Sequence, residues 1–470
     1  MSELHQLQTN LNKALDAIRE ELEVHRLPDL SSFSAEPHPL DSPEFICPPR
    51  LYEARRLALG KFYSSCATLG QLDSLLQRPY DKVVKQSAAV YDTACLDLIV
   101  KAGILDKLAN AEDITVGLSV ISLESELDID SKKITPVLRY LSAQGWLRET
   151  TEGVFTLTRT SLELREGCNG RKWILTEGKP RIAMALMNQI THPDKDWRYS
   201  GQSTRTAFQL AYNTDKTLFE HLKDHPDMLR QWASSVQESH RAHSRGRPGK
   251  RRCCIGSNVG SNTDQSYEVN LIRVSSLPNA TLIVQELGEV VPLAKRHIQQ
   301  QLQNNAEVSR INVETHNFFD PQQRVGENHV FVLRHVLHNW PDNLCVQILA
   351  NLAADASTSS RVIIVDAVIA PCITSTSSSA ARQSRATDLD ELQDRNEYCP
   401  ISAPPYIPLN FGTCAIMPLA LGVHLMGVLN AYERTASEWS DLVGKAGLRI
   451  VAVHPLRGME SVIECQLAEN

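Results

Sequence analysis

Apolar residues near the start of the chain recur at steps of three and four: Leu4, Leu7, Leu11, Leu15, Ile18 and Leu22. That spacing lays one stripe along an amphipathic helix, packed on its own domain or held for a subunit contact. Residues 28–50 are rich in Pro and Ser and read as a linker. A strong helical pattern covers 88–105, AAVYDTACLDLIVKAGIL. Beyond it, Leu123 and Leu127 start a short helix. Asp130 or Ser131 can cap the next, whose buried face is Ile134, Val137, Leu138 and Leu141. Two alternating runs, around WLRET and VFTLT, then meet at Glu152-Gly153. Helix, turn, helix and hairpin together predict a winged helix.

The pattern changes again after a helical stretch at 205–243 and a basic, breaker-rich run at 244–252, SRGRPGKRR. Short buried-strand runs now alternate with helical ones: CCIG, ATLIVQE, SRINVE, HVFVLRH and SRVIIVDAVIA. That alternation predicts a parallel α/β sheet. Residues 372–408, with ITSTSSSAARQS and APPYIP, interrupt it as a long loop, read as a mobile insertion.

Composition sets limits on these readings. The chain has 470 residues, 42% hydrophobic and 22% charged, which suits a globular protein of two or three domains. Its net charge of −7, from 48 basic and 55 acidic side chains, gives no support to a broad nucleic-acid surface. No signal-peptide core and no 18-residue apolar run is visible, and 11 scattered cysteines lack a CxxC pair. The expectation is a cytoplasmic protein with no membrane span.

Ligands of parallel α/β sheets bind beyond the carboxyl ends of the strands. The residues that look out of place in buried strands sit at such ends. FVLRHVLHNWPD, 331–342, carries Arg334, His335, His338, Asn339 and Asp342 behind an apolar anchor. Glu286 closes TLIVQE, Asn317 and Phe318 follow INVETH, and Asp366 closes VIIVD. GSNVGS at 256–261 follows CCIG, and Gly256 and Gly260 there allow close backbone approach to a nucleotide-like ligand. Glu286, at the end of the next strand, is placed to accept from two ribose hydroxyls. His335 competes with His338 as a base. Strand geometry would point it away from Arg334, as a packing residue. HLKDH at 221–225 and SHRAH at 239–243 have tolerable metal-ligand spacing but read as surface or helix-packing histidines.

FVLRHVLHNWPD resembles the catalytic segment of the caffeic-acid-type plant and fungal O-methyltransferases, which use S-adenosyl-L-methionine. CLDLIVKAGILD, AYNTDKTLFEHL, LIVQELGEVV, HNFFDPQ, VIIVDAVI and AYERTASEWSDLVGKAGL follow in that family's order, from about residue 90 to the end. The fungal branch, tied to secondary metabolites such as polyketides, is the nearest in character.

The resemblance implies an N-terminal helix and linker (1–50), a helical and winged-helix dimerisation domain (51–190) and a Rossmann-like methyltransferase domain (191–470). It implies that His338 is the general base toward a phenol or similar hydroxyl, with Asp366 and Glu433 orienting its imidazole. Gly256 and Gly260 would lie under the cofactor, Glu286 on its ribose, Asn317 and Phe318 beside its adenine. Arg334 holds a position where the family places a basic cofactor contact. The partners implied are a small hydroxylated substrate and a second copy of the chain, with no metal, nucleic acid or membrane.

The chain departs from the family's first motif. Cys254 stands where an acid is usual, Ser257 and Asn258 replace glycines, and Asn317 and Asn339 replace Asp. Two alternatives follow. One is a methyltransferase fold that catalyses dehydration or pericyclic ring closure. The other is a winged-helix DNA regulator, although its recognition helix carries only Lys132, Lys133 and Arg139.

Overall fold

The computed structural model of the chain describes residues 2–34, 36–42, 45–59, 68–175, 178–229, 232, 282–301, 311–322, 329–369, 413–456 and 460–468. The glycine motif with Gly256 and Gly260, the basic run 244–252, SHRAH at 239–243 and the 372–408 loop lie outside the described residues. Those described fall into two compact units, one built mainly from residues 1–55 and 69–177, the other mainly from 178–388 and 398–470.

In the first unit, the helix Glu3–Val24 starts at a Ser2 cap. Its buried face is Leu7, Ala14, Ala17, Glu21 and Leu22, while Leu4 and Leu15 are half exposed. The face is thus rotated from the leucine stripe. Small alanines permit close packing, and Glu21 is drawn in by Arg50, whose Nη1 lies 3.2 Å from it. Part of the Pro/Ser-rich stretch that follows is pinned to the winged helix. Arg159 donates to both oxygens of Asp41, at 2.7 and 2.5 Å, and its backbone N–H reaches the Ser32 carbonyl.

The winged helix forms as the pattern predicts. Helices Val120–Leu127 and Ser131–Ala143 precede the wing, and Asp130 caps the second through the Lys132 N–H. The strands are Leu118–Ser119 (β1), Leu147–Thr151 (β2) and Val154–Leu157 (β3), in the antiparallel order β1-β3-β2. Gly153 makes the wing turn at φ +73°, a conformation open to glycine at little cost. Ile134, Leu138, Leu141 and Phe155 bury into one core with Ile99 and Leu105.

In the second unit, four of the expected strands are present: Leu282–Glu286 (β4), Ile311–Thr315 (β5), Val330–Arg334 (β6) and Arg361–Ile369 (β7). CCIG lies outside the described residues. β4 pairs with β5 and β6 with β7, both in parallel. Among the described residues, however, β4 and β5 form a two-stranded sheet of their own, and the sheet that holds β6 and β7 is not wholly parallel. The short Arg434–Thr435 (β8) adds alongside β7, and the C-terminal strands Leu448–Pro455 (β9) and Glu460–Leu467 (β10) run antiparallel to each other, with β10 also antiparallel to β7. Sequential strands of a hairpin pair antiparallel without a crossover helix. The helix Ala436–Lys445, opened by a Thr435–Glu438 capping box, covers this part of the sheet and buries Trp439 completely. Trp439 Nε1 donates to the Ala367 carbonyl at 3.0 Å.

Candidate active site

β6 is apolar through Leu333 and ends at Arg334. The chain then passes through His335 at φ +52° into the one-turn 3-10 helix Leu337–Asn339, and Pro341 starts the helix Asp342–Asp355. This turn carries His338 inward. Leu337 is buried beside it as an anchor. Arg434, fully buried, braces the turn. Its Nη1 donates to the Leu337 carbonyl at 3.1 Å, its Nη2 to the Trp340 carbonyl at 2.9 Å, and its Nε and Nη2 to Asp342 at 3.0 and 2.8 Å.

Two carboxylates close on one imidazole nitrogen. His338 Nδ1 donates to Glu433 Oε1 at 3.0 Å, and Asp366 Oδ1 lies 3.3 Å from the same nitrogen, at ion-pair distance without a hydrogen bond. The parallel pairing of β8 with β7 sets Arg434 opposite Val368, which brings Glu433 to the Asp366 end of that strand. All three side chains are buried. Burial alone would lower the imidazole; the charges of Asp366 and Glu433 outweigh it and raise His338 to about 9. Burial also raises Asp366, to about 7, against the pull of His338. His338 is therefore not the ordinary imidazole near 6.5 that the residue type suggests.

His335 does not point away from Arg334. The positive φ breaks strand alternation, and both side chains reach one oxygen of Glu460. His335 Nε2 is 2.7 Å and Arg334 Nη2 3.0 Å from Glu460 Oε1. Burial lowers His335 to about 4, although Glu460 pulls the other way.

Glu286 ends β4 and is buried. Its Oε2 has no hydrogen-bond partner among the described residues. Burial raises its carboxyl to about 8. The β4–β5 pairing sets Glu286 opposite Thr315, so Asn317 follows at the adjacent strand end. Asn317 Oδ1 accepts from the Phe319 N–H at 3.1 Å, and Phe318 meets Trp340 edge-on at 5.9 Å. Gly256 and Gly260 lie outside the described residues. A buried acid with an unsatisfied oxygen at a strand end fits a ligand that donates hydroxyl protons, as a ribose diol does.

Among the described residues, His335, His338 and Asp366 offer ligand atoms within 4.8 Å of one another, a spacing a divalent ion can use. One nitrogen of each histidine is already held by a carboxylate. His221 and His225 instead stack on each other at 4.0 Å. Glu460 and Arg434 join this neighbourhood without having been singled out as functional in the sequence, and Asp342, noted there at the end of FVLRHVLHNWPD, holds Arg434. The available signals were an acid opening an alternating strand in MESVIECQL and an arginine directly after Glu433.

Comparison with known proteins finds likenesses to O-methyltransferases. Residues 269–391 match the O-methyltransferase domain family. The chain is 27% identical over 420 residues to 3-O-methyltransferase 2 of Phanerochaete chrysosporium, covering 86% of this chain and 84% of that one. It is 25% identical over 464 residues to O-methyltransferase tpcA of Aspergillus fumigatus, covering 89% and 88%. Among solved structures, one described as a pericyclic reaction enzyme superposes with a TM-score of 0.59 at 19% identity, over 85% of this chain and 92% of that one. The O-methyltransferase NcsB1 of neocarzinostatin biosynthesis superposes with a TM-score of 0.54 at 19% identity, over 80% and 96%.

The fold is a helical N-terminal region followed by a mixed-sheet core of methyltransferase type. The chain is related to the S-adenosylmethionine-dependent O-methyltransferases of fungal secondary metabolism. No helix among the described residues is long and apolar enough to cross a membrane.

Proposed function

We propose that the protein methylates a hydroxyl of a small aromatic secondary metabolite, of polyketide type, with His338 as general base. The observation that carries this reading is the Nδ1 side of His338, held between Glu433 and Asp366, which leaves Nε2 for the acceptor proton. When bound, S-adenosylmethionine supplies an electrophilic sulfonium methyl. Glu286 would hold its ribose, Asn317 and Phe318 would flank its adenine, and Gly256, Gly260 and Arg334 would contact the rest. A phenol loses its proton near 10, so an imidazole raised to about 9 takes that proton almost isoenergetically. The two carboxylates then hold the imidazolium that forms. Alignment of acceptor and methyl supplies much of the remaining acceleration.

A homodimer accompanies this reading. Leu76, Tyr80, Val83, Val90 and Tyr91 are exposed on the first unit, an apolar surface suited to a second copy. The DNA-reading alternative is weakened because Arg139 is engaged by Glu149 at 3.0 Å. Cofactor-assisted or cofactor-free ring closure stays as the second reading, since the solved structure described as a pericyclic reaction enzyme shares this fold.

Calorimetric titration with S-adenosylhomocysteine, followed by product mass with phenolic acceptors, tests the proposal. Micromolar binding and a mass gain of one CH2, lost in His338→Ala, support methyl transfer. A product of unchanged mass supports ring closure. No binding to folded protein overturns the cofactor assignment.

A further inference from the structure

We propose that Glu460 is a positioning residue of the catalytic centre, clamping Arg334 and His335 with one oxygen and so fixing the turn that presents His338. The inference rests on His338 as the base. It begins with the backbone of His335. A non-glycine residue at φ +52° sits in a sparsely populated region and persists only where its surroundings over-determine it. Three hydrogen bonds do so here. The His335 N–H donates to the Val365 carbonyl at 3.1 Å, the His335 carbonyl accepts from Asn339 Nδ2 at 2.9 Å, and Nε2 meets Glu460 at 2.7 Å.

The first two bonds hold the main chain; the third fixes the ring. His335 and His338 meet edge to face at 5.3 Å, so the orientation of one imidazole limits the other. Glu460 is itself buried and fixed by the sheet, where β10 sets it opposite Ala367, the neighbour of Asp366. One rigid strand pair therefore carries Asp366 and the acid that locks His335. Glu460 also holds Arg334 Nη2 at 3.0 Å, while Arg334 Nε is buried without a hydrogen-bond partner among the described residues. Arg334 is thereby held in place with one donor to spare.

A single carbonyl oxygen has two lone pairs, so a glutamine can accept from both Arg334 and His335 as the glutamate does. Leucine can accept from neither. The test compares Glu460→Gln and Glu460→Leu in the full-length chain, by kcat per active site, acceptor KM and ring-nitrogen resonances of 15N-histidine-labelled protein. Misplacement of a catalytic group by about 1 Å can cost on the order of 10²-fold in rate. The expected result is a kcat loss of about that size for Glu460→Leu with acceptor KM little changed, near-complete rescue by Glu460→Gln, and displaced His338 resonances in the leucine variant alone. Wild-type kcat and unmoved His338 resonances in folded Glu460→Leu would overturn the proposal. Should the wild-type protein not methylate at all, the functional reading fails, and the resonances alone decide whether Glu460 positions His338.

Discussion

Glu433 Oε1 lies 3.0 Å from His338 Nδ1, across 95 residues of chain. With Asp366 at 3.3 Å from the same nitrogen, the pair raises the imidazole to about 9. In the proposed mechanism the neutral form of His338 acts as the base. Methyl transfer under kcat/KM conditions should therefore rise with pH, about tenfold per unit, until it levels near 9. Glu433→Gln removes one of the two charges that raise the imidazole. Its rising limb should move to lower pH, toward the ordinary imidazole range near 6.5. A pH–rate profile of both proteins checks this; an unmoved limb would show that another group titrates. His338→Ala should lose about 10²–10⁴-fold in rate on the plateau above pH 9.

Burial raises Glu286 to about 8, so the free protein holds it mostly protonated at neutral pH. A ligand that donates hydroxyl protons favours the ionised carboxylate, which raising the pH also favours. S-adenosylhomocysteine should bind more tightly as pH rises from about 6 to 8 and then level off. Calorimetry in buffers of different ionisation enthalpy should detect proton release on binding. Glu286→Gln should bind roughly 10- to 100-fold more weakly, from the loss of charge-assisted hydrogen bonds, and should lose that pH slope.

Arg434 serves the turn that carries His338 through two carbonyls and Asp342 at once. A lysine has no planar fork to span them. Arg434→Lys should destabilise the fold by about 1.5–3 kcal/mol for each charged hydrogen bond lost. Denaturant unfolding measures that cost. Below the unfolding transition, kcat should fall more than cofactor binding, because Glu286 lies on a different strand.

His335, His338 and Asp366 have metal-compatible spacing, but each histidine already gives one nitrogen to a carboxylate. Methyl transfer should survive exhaustive chelation. Loss of activity on chelation, restored by one added divalent metal, would assign a metal to this cluster instead.

The periodic pattern alone marked the winged helix, strands β4 to β7 and the residues at their carboxyl ends. These are local features, because burial of one face writes its period of 2 or 3.6 directly into the chain. The resemblance to known enzymes added Glu433, which no pattern singles out. Tertiary structure decided the rest. The N-terminal helix buries Ala14 and Ala17 in place of Leu4 and Leu15, because close packing and the Arg50–Glu21 pair outweigh the leucine stripe. The C-terminal strands turn a parallel sheet into a mixed one through hairpin pairing that alternation does not encode. Glu460 meets Arg334 across 126 residues, and the upward shift of His338 comes from two charges, one on β7 and one just before β8. Such through-space pairings leave no period in the sequence, so the chain displays its elements and candidate base, while the folded sheet sets the charge and position of that base.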